Sequence, residues 1–153
     1  MHQKHITYKK ALNKAMYLCS KAEKCKSDIR KKLYDWKANP AEHDKIINEL
    51  EKQKFIDEER YVKYYVRDKF EFNKWGKIKI RTMLVQKKIS ETLICNALSE
   101  ISEKKYRETL KYILKQKQHC IKGEDEYKKK QKLIRFAASK GFEPDLILQL
   151  LEK

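Results

Sequence analysis

Basic and aromatic side chains alternate along residues 60–75, RYVKYYVRDKFEFNKW. Cations that neutralise phosphates, next to rings on which bases stack, are the chemistry by which proteins hold single-stranded nucleic acid. Two of the rings, Tyr61 and Tyr65, are four residues apart, and a helix would turn both toward its core. We therefore assign these tyrosines to packing and keep three cations as candidate surface contacts, namely Arg60, Lys63 and Arg67.

The next segment, KWGKIKIRTMLVQKKIS (residues 74–90), is basic and contains no carboxylate. In a helix that starts near Lys77, the side chains of Ile80 and Leu84 turn to the core, and basic residues flank them. The cations of this segment are the second group of candidate contacts: Lys74, Lys77, Lys79, Arg81 and Lys88.

Positive charge extends along the whole chain. The sequence has 38 basic and 22 acidic residues, a net charge of +16, and residues 1–57, 58–102 and 103–153 are each net positive. A field spread in this way favours an extended polyanionic partner, either nucleic acid or a filament that coats it. The alternative is an ordinary lysine-rich protein without such a partner.

Signatures of enzymes and metal sites are missing from the sequence. It has no glycine-rich phosphate loop, no nucleophile elbow and no histidine pair on one helical face. His119 and Cys120 are adjacent but have no second pair to complete a metal site, and the spacing of Cys19 and Cys25 does not fit zinc. We predict no catalytic residue, no cofactor and no metal.

No segment reaches the roughly 18 apolar residues of a membrane span, and the first ten residues lack the apolar core of a signal peptide. We therefore expect a cytoplasmic protein with no membrane partner, in which the four cysteines are reduced. Cys19 and Cys95 are interpreted as small buried hydrophobic residues, whereas the sequence assigns no role to Cys25 and Cys120.

Capping residues divide the chain into nine helices and, since no segment has the pattern of a strand, predict an all-α fold. At the third helix, Asn39, Pro40 and Glu42 are expected to form a capping box. Gly141 is expected to end the eighth helix in a left-handed conformation. The other helix starts are placed at Thr7, Ser27, Asp57, Gly76, Ser90, Ser102, a break near Gly123, and Pro144.

Apolar residues of 80–98 recur with steps of 4, 5, 5 and 4, and those of 133–151 recur with the same steps. The two sets are Ile80, Leu84, Ile89, Ile94 and Leu98, and Leu133, Ala137, Phe142, Ile147 and Leu151. A weaker copy with a longer turn begins at Ile29. With one helix before each copy, the chain is predicted to form three tandem three-helix repeats, 1–57, 58–102 and 103–153, in an elongated body.

Three segments, FIDEERYVKYYVRDK, WGKIKIRTMLVQKKIS and SKGFEPDLILQLL, resemble the RecX family of bacterial regulators of the RecA recombinase. The most specific pattern is D-[DE]-x-R-[FY], followed by Y-V-R and then by G-x-x-[KR]-I. Its positions here are Asp57, Glu58, Arg60, Tyr61, Tyr65, Val66, Arg67, Gly76, Lys79 and Ile80. The K-G-F of the third repeat is intact at residues 140–142, whereas Lys88 stands where members carry the glycine of K-G-I. The longer turn of the first repeat is a second departure.

The resemblance implies a bent or elongated array of three-helix repeats, with no catalysis and no cofactor. It also implies a partner, the filament of RecA on single-stranded DNA, whose extension, recombinase activity and co-protease activity the protein would limit. We expect a monomer that contacts the DNA without sequence preference. On this interpretation four cations contact phosphates or an acidic strip of the filament: Lys74, Lys77, Arg81 and Lys88.

A second interpretation is a stand-alone nucleic-acid-binding helical protein with no RecA partner. A helix, a short turn and a second helix recur in each predicted repeat, which is compatible with DNA binding. No repeat, however, carries the cluster of Asn, Gln, Arg and Ser that reads bases at the start of a recognition helix. Contact with the DNA backbone is the most that this pattern supports.

Overall fold

The computed structural model describes residues 5–152, and nine α-helices contain most of them. They are α1 (Tyr8–Lys21), α2 (Lys26–Asp35), α3 (His43–Lys52), α4 (Glu58–Glu71), α5 (Lys77–Gln86), α6 (Glu91–Ser99), α7 (Glu103–Cys120), α8 (Glu126–Ser139) and α9 (Pro144–Leu151). Among the described residues, β-type pairing is limited to one isolated bridge between Ile6 and Ala38. The predicted all-α class is confirmed.

Four helices of the described residues start with a side-chain cap at the expected position. Thr7, Ser90 and Ser102 each accept an amide hydrogen bond from the first turn of α1, α6 and α7. The carboxylate of Asp57 accepts the amide of Arg60 at 3.1 Å, which confirms Asp57 as the cap of α4. These residues satisfy amides that have no partner inside the helix.

The predicted start of α2 at Ser27 is wrong, and the predicted start of the third helix is confirmed only for Asn39 as a cap and Pro40 at the first helical position. Helix α2 begins at Lys26, and its cap is Cys25, whose amide donates to the Asp28 carboxylate at 3.3 Å. Ser27 lies inside the first turn of α2, where its hydroxyl oxygen is 3.4 Å from the sulfur of Cys25. At the third helix, Asn39 caps a short 3₁₀ turn (Pro40–Glu42), and α3 follows at His43 instead of starting in the expected capping box.

The described residues divide into two compact units. The first contains residues 5–64 and 87–89, and the second contains residues 65–86 and 90–152. In the first unit, α1, α2 and α3 pack on one another. The core of this unit contains the whole apolar set of the weaker repeat copy, namely Ile29, Leu33, Ala38, Ile46 and Leu50, together with Ala11, Ala15, Ile47 and Ile56.

In the second unit, α5 packs on α6, and α8 packs on both α7 and α9. The predicted core residues of α5 and α6 are all buried: Ile80, Leu84, Ile94 and Leu98. In the third repeat Leu133, Ala137 and Ile147 are buried as expected. Leu151 is only half-buried, because it is the last residue of α9 and lines an open cavity with Leu150.

The turn before α5 is bonded to the turn after α8 within the second unit. The amide of Gly76 donates to the carbonyl of Lys140 at 2.7 Å, and the amide of Ile78 donates to the carbonyl of Gly141 at 3.0 Å. Gly141 has a φ of 96°, which confirms its predicted left-handed conformation. Two turns that are distant in sequence therefore share backbone hydrogen bonds.

Lysines occupy the left-handed positions at several other turns. Lys37 and Lys88 have φ values of 59° and 62°, at positions equivalent to Gly141 in the apolar repeat. Lys54 and Lys74 have φ values of 66° and 58° and follow α3 and α4. Lys88 thus adopts a glycine-like backbone conformation, although the side chain is present.

Candidate functional site

The turn between α4 and α5 brings cations and rings of the second unit together. Lys69 lies on α4, Lys74 and Trp75 lie in the turn, and Lys77 and Lys79 lie on α5. We call these five residues the basic turn. The amide of Trp75 donates to the carbonyl of Lys69 at 3.0 Å, and the left-handed Lys74 redirects the chain between them.

Two ammonium groups of the basic turn lie against one indole ring. The Nζ atoms of Lys69 and Lys79 lie 5.1 Å and 4.5 Å from the ring centroid of Trp75, which is half-buried. The quadrupole of the ring attracts cations at such distances. Trp75 therefore holds positive charge from both α4 and α5 beside a partly accessible aromatic surface.

Lys74 and Lys77 are also held by aromatic rings. The ammonium of Lys74 lies 6.0 Å from the centroid of Tyr112 and donates to the carbonyl of Glu71 at 2.5 Å. The ammonium of Lys77 lies 4.9 Å from the centroid of Tyr106. None of Lys74, Lys77 and Lys79 forms an ion pair with another residue in the range 5–152, so their charges are not neutralised there.

Tyr106 on α7 positions the first residue of α5. It is buried, and its ring lies 5.9 Å from that of Phe70 and 5.0 Å from that of Phe142. Its hydroxyl donates to the carboxylate of Glu143 and accepts the amide of Lys77 at 2.9 Å. Burial, followed by the hydrogen bond to Glu143, raises the pKa of Tyr106 well above its ordinary value. The hydroxyl therefore remains a donor at neutral pH.

Two other predicted contacts, both in the first unit, are paired with carboxylates of the protein. In the first unit, Arg60 donates to the carboxylate of Glu23 at 2.6 Å and to the carbonyl of Lys54 at 3.2 Å. Lys63 lies 3.6 Å from the carboxylate of Glu59, one helical turn away. These contacts reduce the charge that Arg60 presents, whereas an exposed pair such as Lys63–Glu59 is weak and easily opened.

Arg81, in the second unit, is half-buried and forms an ion pair with Glu91. Its guanidinium also donates to the sulfur of Cys95 at 3.5 Å. The expectation that Cys95 is buried is therefore wrong, because it lies on the exposed face of α6 with Glu91. Cys19 is half-buried, and burial is the main reason why its pKa is raised.

Arg67 and Lys88 remain available among the predicted contacts. Both are exposed, and neither forms an ion pair with a residue in the described part of the chain. Arg67 belongs to the second unit, whereas Lys88 belongs to the first and lines a cavity of about 450 Å³ there. The structure thus places Lys74, Lys77 and Lys79 together and divides the other candidates between the units.

Two cations at or beside the basic turn, Lys69 and Lys140, were not predicted as contacts from the sequence. Lys69 lies in the alternating basic and aromatic segment, which was a usable signal. Lys140 donates to the carbonyl of Asn73 at 3.1 Å and adds a cation beside the turn. Neither this contact nor that of Tyr112 has a local sequence signal, because the partners are far apart in the chain.

Neither a metal centre nor a membrane-spanning segment is found in the described residues. Between residues 5 and 152, no group of three or more His, Cys, Asp and Glu side chains could hold a metal ion. No helix in the same range combines the length and the apolar character needed to cross a membrane.

Comparisons with known proteins give one consistent result. The model of the second three-helix domain of RecX matches residues 57–98, and that of the third matches residues 105–151. Regulatory protein RecX of Chlorobium phaeobacteroides is 33% identical over 145 residues, which are 95% of this chain and 93% of that relative. Regulatory protein RecX of Clostridium acetobutylicum is 30% identical over 150 residues, 95% of this chain and 69% of that relative.

Solved structures share the fold. A crystal structure of regulatory protein RecX superposes with a TM-score of 0.87 at 24% identity, covering 100% of this chain and 83% of that one. The crystal structure of RecX from Lactobacillus salivarius gives a TM-score of 0.81 at 22% identity, covering 94% of each chain. With sequence matches over most of its length and the same helical repeat fold, this chain belongs to the RecX family of regulatory proteins.

Proposed function

We propose that the protein binds the filament of RecA on single-stranded DNA and limits its extension, its recombinase activity and its co-protease activity. Membership of the RecX family supports this function. The observation that carries the proposal is the basic turn, where Lys74, Lys77 and Lys79 lie against aromatic rings and make no ion pair within residues 5–152.

Lysines held by rings suit a polyanionic partner for two reasons. A ring attracts the ammonium without cancelling its charge, so the field of the cation still reaches an approaching phosphate or carboxylate. Side chains that are already positioned also lose less conformational freedom when they bind. The basic turn is therefore a preorganised cationic surface, in contrast to Arg60 and Arg81, whose carboxylate partners would compete with a filament.

A regulator of this kind acts by occupying a surface and needs no reacting group. Contact between the ammonium groups and DNA phosphates releases counterions, which makes binding depend on salt concentration. Contacts with an acidic strip of RecA would be made by the same ammonium groups of the basic turn. We also propose that the protein acts as a cytoplasmic monomer, with sequence-independent DNA contacts and with repeats at 1–57, 58–102 and 103–153.

The decisive experiment is a titration of preformed RecA filaments on single-stranded DNA. The protein should reduce the ATPase or strand-exchange rate at amounts well below one molecule per RecA subunit, because one bound molecule blocks further extension. A stand-alone DNA-binding protein would instead inhibit only when present in sufficient amount to compete for all of the DNA. That second outcome would reject the proposed partnership with RecA.

A further inference from the structure

Helix α1, in the first unit, carries another basic face. Its sequence contains four lysines and no carboxylate. Lys10, Lys14, Tyr17 and Lys21 follow one another at steps of 4, 3 and 4, so they lie along one side of the helix. With a rise of 1.5 Å per residue, this stripe is about 16 Å long.

A cavity of about 410 Å³ lies beside this stripe. Its lining contains two cations, two aromatic rings, one amide and no acidic residue: Lys10, Asn13, Lys14, Tyr17, Leu18 and Trp36. The ammonium of Lys14 lies 5.1 Å from the ring centroid of Trp36, and that of Lys21 lies 5.2 Å from the centroid of Tyr17. Tyr17 is 61% exposed, so its ring is available to a ligand.

The lysines of α1 are not neutralised by neighbours. None of them forms an ion pair with a residue between positions 5 and 152. Lys9 and Lys10 lie in the first turn of the helix, where the positive end of the helix dipole disfavours cations. An anion beside this turn would offset both the dipole and the lysine charges.

We propose that this face of α1, with Trp36, is a binding site for single-stranded nucleic acid. An unpaired base stacks on Tyr17 or Trp36, while successive phosphates lie along Lys10, Lys14 and Lys21. The amide of Asn13 is placed to hydrogen-bond a base edge. An acidic protein segment would satisfy the lysines but would leave the rings and the amide unused, so the lining favours nucleic acid. The site does not require RecA.

The test uses the full chain without RecA, so its result is independent of the filament proposal. In a Trp75→Phe variant, Trp36 is the single tryptophan. Oligothymidylate should change the emission of Trp36, whereas an abasic oligodeoxynucleotide of the same length should bind more weakly and, at equal occupancy, change the emission less, because only its phosphates reach Lys14 beside the ring. This local signal separates the α1 site from the basic turn, which also attracts DNA.

Substitutions then identify the contacts by fluorescence anisotropy of labelled oligothymidylate. Tyr17→Ala should weaken binding about 5- to 20-fold, since one stacked base is lost. Replacing Lys10 and Lys14 with Gln should make the log–log salt slope shallower by about 1 to 1.5. The controls are Tyr127→Ala, another exposed tyrosine, and the double substitution of Lys32 and Lys52 with Gln, two exposed lysines without ion pairs among the described residues.

Three results would overturn the site. Abasic DNA could bind as tightly as oligothymidylate, which would mean attachment by charge alone. Polyglutamate could bind equally well and change the Trp36 emission, which would mean a surface for acidic proteins. Finally, the Tyr17 variant could bind like the parent while its circular dichroism shows an intact fold.

Discussion

Gly76 and Gly141 lie backbone to backbone in the second unit. A Cβ atom at Gly76 would lie 2.3 Å from the carbonyl oxygen of Gly141, and a Cβ atom at Gly141 would lie 2.3 Å from the Cβ of Lys79. Both distances are far below van der Waals contact. The missing Cβ of Gly76, in G-x-x-[KR]-I, therefore leaves room for the backbone of Gly141, and the missing Cβ of Gly141, in K-G-F, leaves room for Lys79.

Replacing Gly141 with Ala should destabilise the protein by more than about 2 kcal/mol, because the methyl group would collide with Lys79 at a left-handed position. The measurement is urea unfolding followed by circular dichroism. Gly123→Ala is the matched control, since Gly123 also has a positive φ, of 74°, but an added Cβ would meet nothing within 4 Å. It should cost only about 1 kcal/mol. If the two variants lose the same free energy of unfolding, the clash between residue 141 and Lys79 is contradicted.

Leu84→Ala should destabilise the protein by about 2–5 kcal/mol, because Leu84 is fully buried in α5 and the truncation leaves a cavity. The neighbouring Val85 is 52% exposed on the same helix. Val85→Ala should change the free energy of unfolding by less than about 0.5 kcal/mol. If both variants unfold at the same denaturant concentration, the core register of α5 is not as described.

Asp57→Ala should cost about 1 kcal/mol, because the amide of Arg60 loses its acceptor at the start of α4. Asp57→Asn keeps an acceptor oxygen and should retain most of the stability. Thermal or urea unfolding of the two variants gives the comparison. An Ala variant as stable as the Asn variant would show that the cap contributes nothing.

Lys88→Gly should stabilise the protein by about 1 kcal/mol, because glycine adopts a φ of 62° without the strain of a Cβ atom. The same substitution at Lys31, in the interior of α2, should destabilise it by about 1 kcal/mol. Each variant loses one exposed lysine, so the charge effect is matched. Unfolding free energies that shift in the same direction would argue against left-handed strain at Lys88.

Replacement of Lys74, Lys77 and Lys79 with Gln should weaken inhibition of RecA filaments and make the salt slope of binding shallower by up to roughly 2. The control removes three exposed lysines of the same unit that lack ion pairs among the described residues: Lys104, Lys122 and Lys128. Circular dichroism should show an unchanged helix content in both triple variants. If the control inhibits as poorly as the test variant, only total charge matters and the basic turn has no special role.

Local chemistry explains which parts of the fold could be predicted. A cap such as Thr7 or Ser90 bonds an amide three residues away, so its signal lies within one helical turn of sequence. The spacing of Ile80 and Leu84 likewise reports a single helical face. The capping of α2 was misplaced because a cysteine took the role that serine commonly has, with Asp28 as its reciprocal partner.

The candidate site could be predicted only in its composition. The sequence shows where cations are dense, but it does not show which of them meet a carboxylate: Arg81 pairs with Glu91, whereas Lys79 meets the ring of Trp75. Contacts such as Tyr106 with Lys77 depend on packing between distant helices. The carboxylates that pair with particular cations therefore follow from the three-dimensional packing and not from the local sequence.

The lysines with a positive φ affect both the stability and the charge of the protein. At Lys37, Lys54, Lys74 and Lys88 a glycine would relax the backbone, yet each lysine is one of the 38 basic residues that make the protein positive. Each also lies just past a helix C-terminus, where the dipole favours a cation. At these four turns, a strained backbone conformation thus lowers the stability of the protein, while the lysine side chain adds to its positive electrostatic field. A redesign for thermal stability alone would first replace these lysines with glycine. The resulting protein would be more stable but would attract polyanions less strongly.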